Sequence, residues 1–213
     1  MKRSDWLVPL ALFVFAALPL IPGAFRVLQL AGGPALMAPE KRFDDMPLPV
    51  LIHIISASLY YLVGPLQFSA GIRRNWPKFH RWLGRSLVPA ALGVALSGLW
   101  MTLFYARAPM DGEMLFATRL VVGTAMLASI LLGLAAILRR DVPTHRAWMI
   151  RAYALGLGAG TQLLIFVPLL PFGPPDLLTR ELLMGAAWLI NLAFAEWIIR
   201  RKRAPMRRVV MAA

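Results

Sequence analysis

The stretch LFATRLVVGTAMLASILLGLAAIL, Leu115 to Leu138, runs 24 residues with a single charge, Arg119. A helix needs about 20 mostly apolar residues to cross the hydrocarbon of a bilayer. The stretch does not alternate with period 2, so it does not read as a barrel strand. In lipid the backbone must satisfy its own hydrogen bonds, which leaves a helix. Working outward, five more stretches of this kind stand at about 6–24, 49–71, 86–105, 152–172 and 180–199. The expected fold is all-α: a polytopic membrane protein, a bundle of six transmembrane helices forming one domain over 1–213, with a basic cytoplasmic tail at 200–213.

The composition agrees. Of 213 residues 59% are hydrophobic and only 15% charged, with a mean hydropathy of +0.66, whereas soluble domains are nearer a quarter charged. The net charge of +13 would suggest nucleic acid on a soluble chain, but its placement says otherwise. Basic residues crowd the N-terminus (Lys2, Arg3), the 72–85 loop (Arg73, Arg74, Lys78, Arg81, Arg85), the 139–151 loop (Arg139, Arg140, Arg146, Arg151) and the tail RRKRAPMRR, while the loops 25–48, 106–114 and 173–181 are near neutral. The positive-inside rule then predicts both termini in the cytoplasm, in the inner membrane of a bacterium. The partner is the lipid bilayer, with anionic headgroups at the tail, and no nucleic acid. With no cysteine, disulfides, thiolate metal sites, thiol nucleophiles and covalent c-type haem are excluded. Span one has the basic start of a signal peptide, but Pro9, Pro19 and Pro22 and the lack of a small-x-small site predict a retained helix. The 25–48 loop carries turn signals at Gly32, Gly33, Pro34, Pro39 and Pro47 and could cap the outer face.

Two junctions on the basic side echo one another. PKFHRWLGR, Pro77 to Arg85, and PTHRAWMIR, Pro143 to Arg151, each place Pro, then His-Arg, then Trp, then a closing Arg. They sit at the hinges of helix pairs two–three and four–five, as a duplicated two-helix unit would place them. HRWLGR at 80–85 and HRAWMIRAYAL at 145–155, with His53, GPLQF at 64–68 and Arg119, resemble the signatures of a bacterial family of predicted membrane proteins, domain-of-unknown-function family 2306. The resemblance covers roughly residues 50–165. The stretch Gly156 to Gly160 departs from the family's usual Thr-Phe-Ala-Ala-like run. The resemblance implies a membrane protein and brings no established activity.

The three histidines are the chemical candidates, since ionisable groups at membrane helices are functional hypotheses by default. His80 and His145 mark the basic starts of spans three and five, and His53 and Arg119 the opposite ends of spans two and four. This arrangement is also similar to six-helix transmembrane diheme cytochromes b, whose histidines on spans two to five pair two with four and three with five. That similarity implies haem b, bound between His80 and His145 as axial ligands of the iron, with Arg81, Arg85, Arg146 and Arg151 toward the propionates and His53 and Arg119 at an outer cofactor or quinol site. Span four has no histidine, so the second haem site is incomplete. Small residues beneath both ligands (Gly84, Ala91, Ala95 and Gly98; Ala152, Gly156 and Gly160) could flank a porphyrin. Such stripes equally let plain helices approach, and His-Arg-Trp at a membrane boundary is also a good anchor.

Span two carries His53, Ser56, Tyr60, Gly64 and Gln67 along one line, about 21 Å from end to end, which reads as an interhelical seam or a polar pathway. Gln162 and Asn191 read as bundle glue, and Glu196 as a partner of Arg200 at i+4. Arg119 could hold a carboxylate, meet a quinone carbonyl, or snorkel. P-loop, Gly-x-Ser-x-Gly and His-Glu-x-x-His signatures are absent, which disfavours a hydrolase or an ATP-driven pump. Three functions stay open: a haem-binding or quinone-linked electron-transfer subunit, a cofactor-free permease-like or sensory protein, and a membrane scaffold.

Overall fold

The computed structural model describes residues 4–201; Lys2, Arg3 and the tail beyond Arg201 lie outside the described residues. These form α1 (Ser4–Ala17), α2 (Leu20–Leu30), α3 (Lys41–Asp45), α4 (Pro47–Val63) running into a 3₁₀ turn (Gly64–Phe68), α5 (Ala70–Asn75), α6 (Pro77–Phe104), α7 (Glu113–Leu138), α8 (Val142–Gly156), α9 (Gly158–Phe166) with a second 3₁₀ turn (Val167–Phe172), and α10 (Leu177–Arg201). No strand occurs among the described residues. Five helical segments are long and apolar enough to cross a membrane, and six if the first bent pair is one span. The protein is an all-α polytopic membrane protein.

The first span is not the straight helix expected over 6–24. Trp6–Ala17 and Leu20–Leu30 meet at 44°, because Pro19 and Pro22 remove backbone donors and clash with the preceding turn. Span five breaks at Leu157, between Gly156 and Gly158, where the low helix propensity of glycine weakens the ladder. Elsewhere the helices start where the chemistry allows. Pro47 and Pro77 occupy first-turn positions, and Asp141 Oδ1 accepts from the Thr144 N–H at 3.1 Å to cap α8.

Helices α4, α6, α7, α8 and α10 pack in series, each against the next, and α1 lies against α4 and the first 3₁₀ turn. The main core gathers Tyr60, Tyr61, Leu83, Leu87, Ala91, Met126, Ile130 and Tyr153. Glycines set the close approaches. A Cβ on Gly133 would lie within 3.3 Å of the Trp148 Cβ and collide with Met149, so α7 and α8 run at near backbone contact. Large apolar side chains such as Val121, Leu189 and Phe194 point outward, as lipid requires.

The α7–α8 hairpin closes with the Arg140 N–H on the Ile137 carbonyl (3.0 Å) and the Asp141 N–H on the Ala136 carbonyl (2.9 Å), the Schellman pattern. Its left-handed position is held by Arg140, φ 61°, where glycine is usual. Arg140→Gly is expected to raise stability by about 1 kcal/mol, read as a higher unfolding midpoint in detergent; an unchanged or lower midpoint would remove the strain argument.

Candidate functional site

At the basic end, the sequence breaks helix α4 with Gly64-Pro65. Gly64 also makes room for an aromatic ring: a Cβ there would lie 2.7 Å from Tyr153 Cε2. Ser69 Oγ then accepts from the Ile72 N–H at 3.2 Å and starts α5. This turn lays Gln67 on Gly84 of α6, whose Cβ would be 3.3 Å from Gln67 Oε1. His80 sits one turn earlier on α6. Gln67 Nε2 and His80 Nδ1 are both buried with no hydrogen-bond partner. His80 also lies within electrostatic reach of Arg73, Arg81 and His145. Arg73 donates to the Gln67 carbonyl at 2.9 Å, and its burial and the neighbouring Arg146 charge pull its guanidinium below its ordinary value.

The two histidines of the echo behave differently. His145 Nδ1 is 2.8 Å from the Gly133 carbonyl; a carbonyl only accepts, so Nδ1 donates and a neutral His145 keeps the Nε2 lone pair. The α7–α8 turn is tight and Gly133 draws the helices together, so the imidazole reaches the backbone. Between α4 and α6 the inserted α5 removes that opportunity, and His80 Nδ1 is left without a partner.

Arg151, which the haem arrangement would aim at a propionate, is engaged elsewhere. It forms a two-pronged pair with Glu196 at 2.5 and 3.1 Å and lies over the Trp148 ring at 4.5 Å. The Arg200 expected beside Glu196 stands farther off, at 3.7 Å. Arg81, Arg85 and Arg146 carry no ion pair among the described residues.

At the opposite end the centre is Asp111, which sequence reasoning missed. It is buried and accepts from Arg119 at 2.6 Å and Arg180 at 2.8 Å, with Arg42 at 4.0 Å. Burial alone would raise its carboxyl, but Arg119 and Arg180 outweigh that and hold it below the usual carboxylate range. Arg42 also pairs with Glu40, and the buried Arg26 reaches Glu40 at 3.7 Å. Tyr105 donates to the Met46 carbonyl at 2.6 Å. The 25–48 segment therefore lies over the 105–111 loop. A cavity of about 20 Å³ opens between Arg42, Thr102, Asp111 and Arg119, room for about one water. Arg119 thus holds a carboxylate. His53 has a different partner, Ser97 Oγ at 3.0 Å. Ser97 gives its own hydrogen to the Gly93 carbonyl, so His53 Nδ1 is the donor.

Between the two ends, the polar line of α4 and the 3₁₀ turn after it is seated on the small face of α6: His53 by Gly98, Ser56 by Gly93 and Gln67 by Gly84. It is a packed seam. Farther along, Thr161 donates to Asn191 at 2.7 Å and Gln162 to the Met184 carbonyl at 3.3 Å, joining α9 to α10.

The family model described as predicted membrane protein (DUF2306) matches residues 50–199. The chain belongs to that family. The DUF2306 match runs from α4 to α10, so it takes in both histidine junctions, Asp111 and Arg119. No curated protein and no solved structure matches the chain, and the likeness to diheme cytochromes b is without support.

Haem can be tested on this DUF2306 protein's own packing. The donor chemistry is half suitable, since a ligand histidine gives its far N–H to a carbonyl as His145 does. The space is not. Gly84 seats Gln67, Gly98 seats His53, Gly156 meets the Tyr61 hydroxyl, and Gly160 faces Phe15 with 3.1 Å between its Cβ position and Cε1. Tyr60, Tyr61 and Tyr153 lie in mutual contact with ring centroids 5.3 to 5.9 Å apart, and Phe68 meets Tyr153 at 5.0 Å. The four glycines assigned above to flanking a porphyrin instead receive neighbouring side chains, and Ala91, Ala95 and Ala152 are buried in the core, so the slot does not fit the group. Among the described residues no cluster of three or more His, Cys, Asp or Glu could hold a metal ion.

Proposed function

We propose that the protein binds a membrane-borne small molecule whose polar head sits at the basic end, between α4, α6 and α8. The observation that carries this reading is that two of the three buried nitrogens without partners among the described residues, Gln67 Nε2 and His80 Nδ1, stand together at this end, the third being Asn191 Nδ2 of α10. A buried polar group left unsatisfied costs about 1–3 kcal/mol, and ligand oxygens accepting from these groups remove that cost. The ligand class is therefore an amphiphile with acceptor oxygens, a quinone or a lipid headgroup. The Tyr60–Tyr61–Tyr153 cluster forms an aromatic floor beneath it. By the positive-inside rule this end faces the cytoplasm of a bacterial inner membrane, where the basic tail adjoins anionic headgroups. An electron-transfer role would follow only for a quinone ligand.

The test is solvent extraction of protein purified in mild detergent, with quinones and lipids quantified per chain. Gln67→Leu should lower retention at least tenfold. It should also raise the unfolding midpoint of the ligand-free protein, since it removes an unsatisfied group. Retention unchanged in Gln67→Leu and in His80→Leu sinks the reading. The haem alternative has its own readout: oxidised and dithionite-reduced spectra should show no Soret band, and a Soret band lost in both His80→Ala and His145→Ala would reinstate it.

A further inference from the structure

We infer that the head bound at this site is anionic, and that the phosphate of an inner-leaflet anionic phospholipid supplies it. This rests on the binding reading above and names its ligand. Arg73 donates to the Gln67 carbonyl at 2.9 Å and, with Arg81 and His145, lies within electrostatic reach of His80, while Arg146 lies within reach of Arg73; none of these three arginines forms an ion pair among the described residues. A neutral head would satisfy Gln67 Nε2 and His80 Nδ1 but leave Arg73 facing Arg146. A phosphate does both, since guanidinium forks match its oxygens.

Two further observations agree. The N-termini of α6, 28 residues long, and α8, 15 residues long, both lie at this end. Their dipoles add positive potential within the first turn, where His80 and His145 sit. Beside them Trp76 and Trp82 are 55% and 63% exposed, and Phe79 stacks on Trp82 at 6.4 Å. Exposed aromatics flanking a basic turn mark the headgroup layer, the depth at which a phospholipid carries its phosphate. Free inorganic phosphate offers the same oxygens without the acyl chains.

The deciding experiment offers full-length protein, delipidated in detergent, mixed micelles of phosphatidylglycerol and phosphatidylcholine in equal amounts, and separately inorganic phosphate. Bound lipid is counted by native mass spectrometry and stability by thermal unfolding. The expected result is about one phosphatidylglycerol per chain, retained at least tenfold over phosphatidylcholine. Arg73→Gln with Arg146→Gln should abolish that preference, while Arg73→Lys with Arg146→Lys keeps most of it and reports on folding. Equal retention of the two lipids overturns the inference. Stabilisation by inorganic phosphate without lipid retention overturns the lipid source. A quinone retained from cells, lost in Gln67→Leu and kept in the double Gln variant, overturns the anionic head but leaves the binding reading standing. Nothing retained, with no response to Gln67→Leu, ends both.

Discussion

Replacing Asp111 with alanine lowers the unfolding midpoint of the detergent-solubilised protein by roughly 5–15 °C. Its carboxylate, with a side chain only 4% exposed, takes hydrogen bonds from Arg119 of α7 and Arg180 of α10 and faces Arg42 of α3. Removing one partner of a buried pair costs about 3–5 kcal/mol. The arginines here are 20–31% exposed, so solvent recovers part of that and about 2–4 kcal/mol is expected. Arg26 and Glu40 tie the same end together, so the loss should appear as mobility of the 25–48 segment as well. The pH dependence follows from the depressed carboxyl. A group whose folded pKa lies below its unfolded value of about 3.9 contributes fully above that value and loses its contribution as pH falls through the folded one. Wild-type stability should therefore fall below about pH 4, and Asp111→Asn should flatten that limb. A wild-type and an Asp111→Ala protein with equal midpoints would show that the three arginines are solvated independently.

The second large effect is steric. Gly158→Ala is expected to destabilise by about 1–3 kcal/mol, although alanine favours a helix by about 1 kcal/mol over glycine. A Cβ at Gly158 would stand 2.1 Å from Trp188 Nε1 and 2.3 Å from Cδ1, and an indole is rigid, so α10 has to move. The cost should largely vanish in a Trp188→Ala background, a coupling that thermal unfolding of the double-mutant cycle measures. Equal costs in both backgrounds would mean that α9 and α10 do not meet there.

The five long apolar helices were legible because lipid penalises charge and unpaired backbone alike, and a 24-residue run such as Leu115–Leu138 has no other stable state in it. Bends were less legible. In the sequence Pro19 and Pro22 speak against a signal peptide, and in the fold the same two residues turn α1 into α2 at 44°. The Asp111 centre escaped for a different reason. Loops tallied by net charge hide opposite charges that cancel: Arg107, Asp111 and Glu113 total −1, as do Asp176, Arg180 and Glu181. An acid that can reach two or three arginines on different helices is a contact across 69 positions, and no local period signals it. Among the histidines, the positions were legible and the partners were not. Which imidazole finds a carbonyl depends on the length of the hairpin before it, three residues before α8 against a whole inserted helix before α6. Likewise the glycines under His80 read as a stripe, whereas their occupants, Gln67 and His53, come from a different helix.

The amide of Leu115, in the first turn of α7, is closed by the Glu181 carboxylate of α10 at 2.8 Å, a side chain 66 residues downstream. During synthesis α7 enters the membrane well before that carboxylate exists. Until then its leading turn depends on water at the bilayer surface, and Asp111 just ahead of it has Arg119 and Arg42 but lacks Arg180. Arg180 and Glu196 of α10 complete pairs at both ends of the bundle, so the last of the described helices acts as the keystone. A nascent chain stopped short of Leu177 would contain four of the five long apolar crossings and still be an open assembly, exposed to membrane proteases that sample unfinished helices. Closure of the bundle is thus timed by the synthesis of α10 rather than by insertion of the four crossings before it.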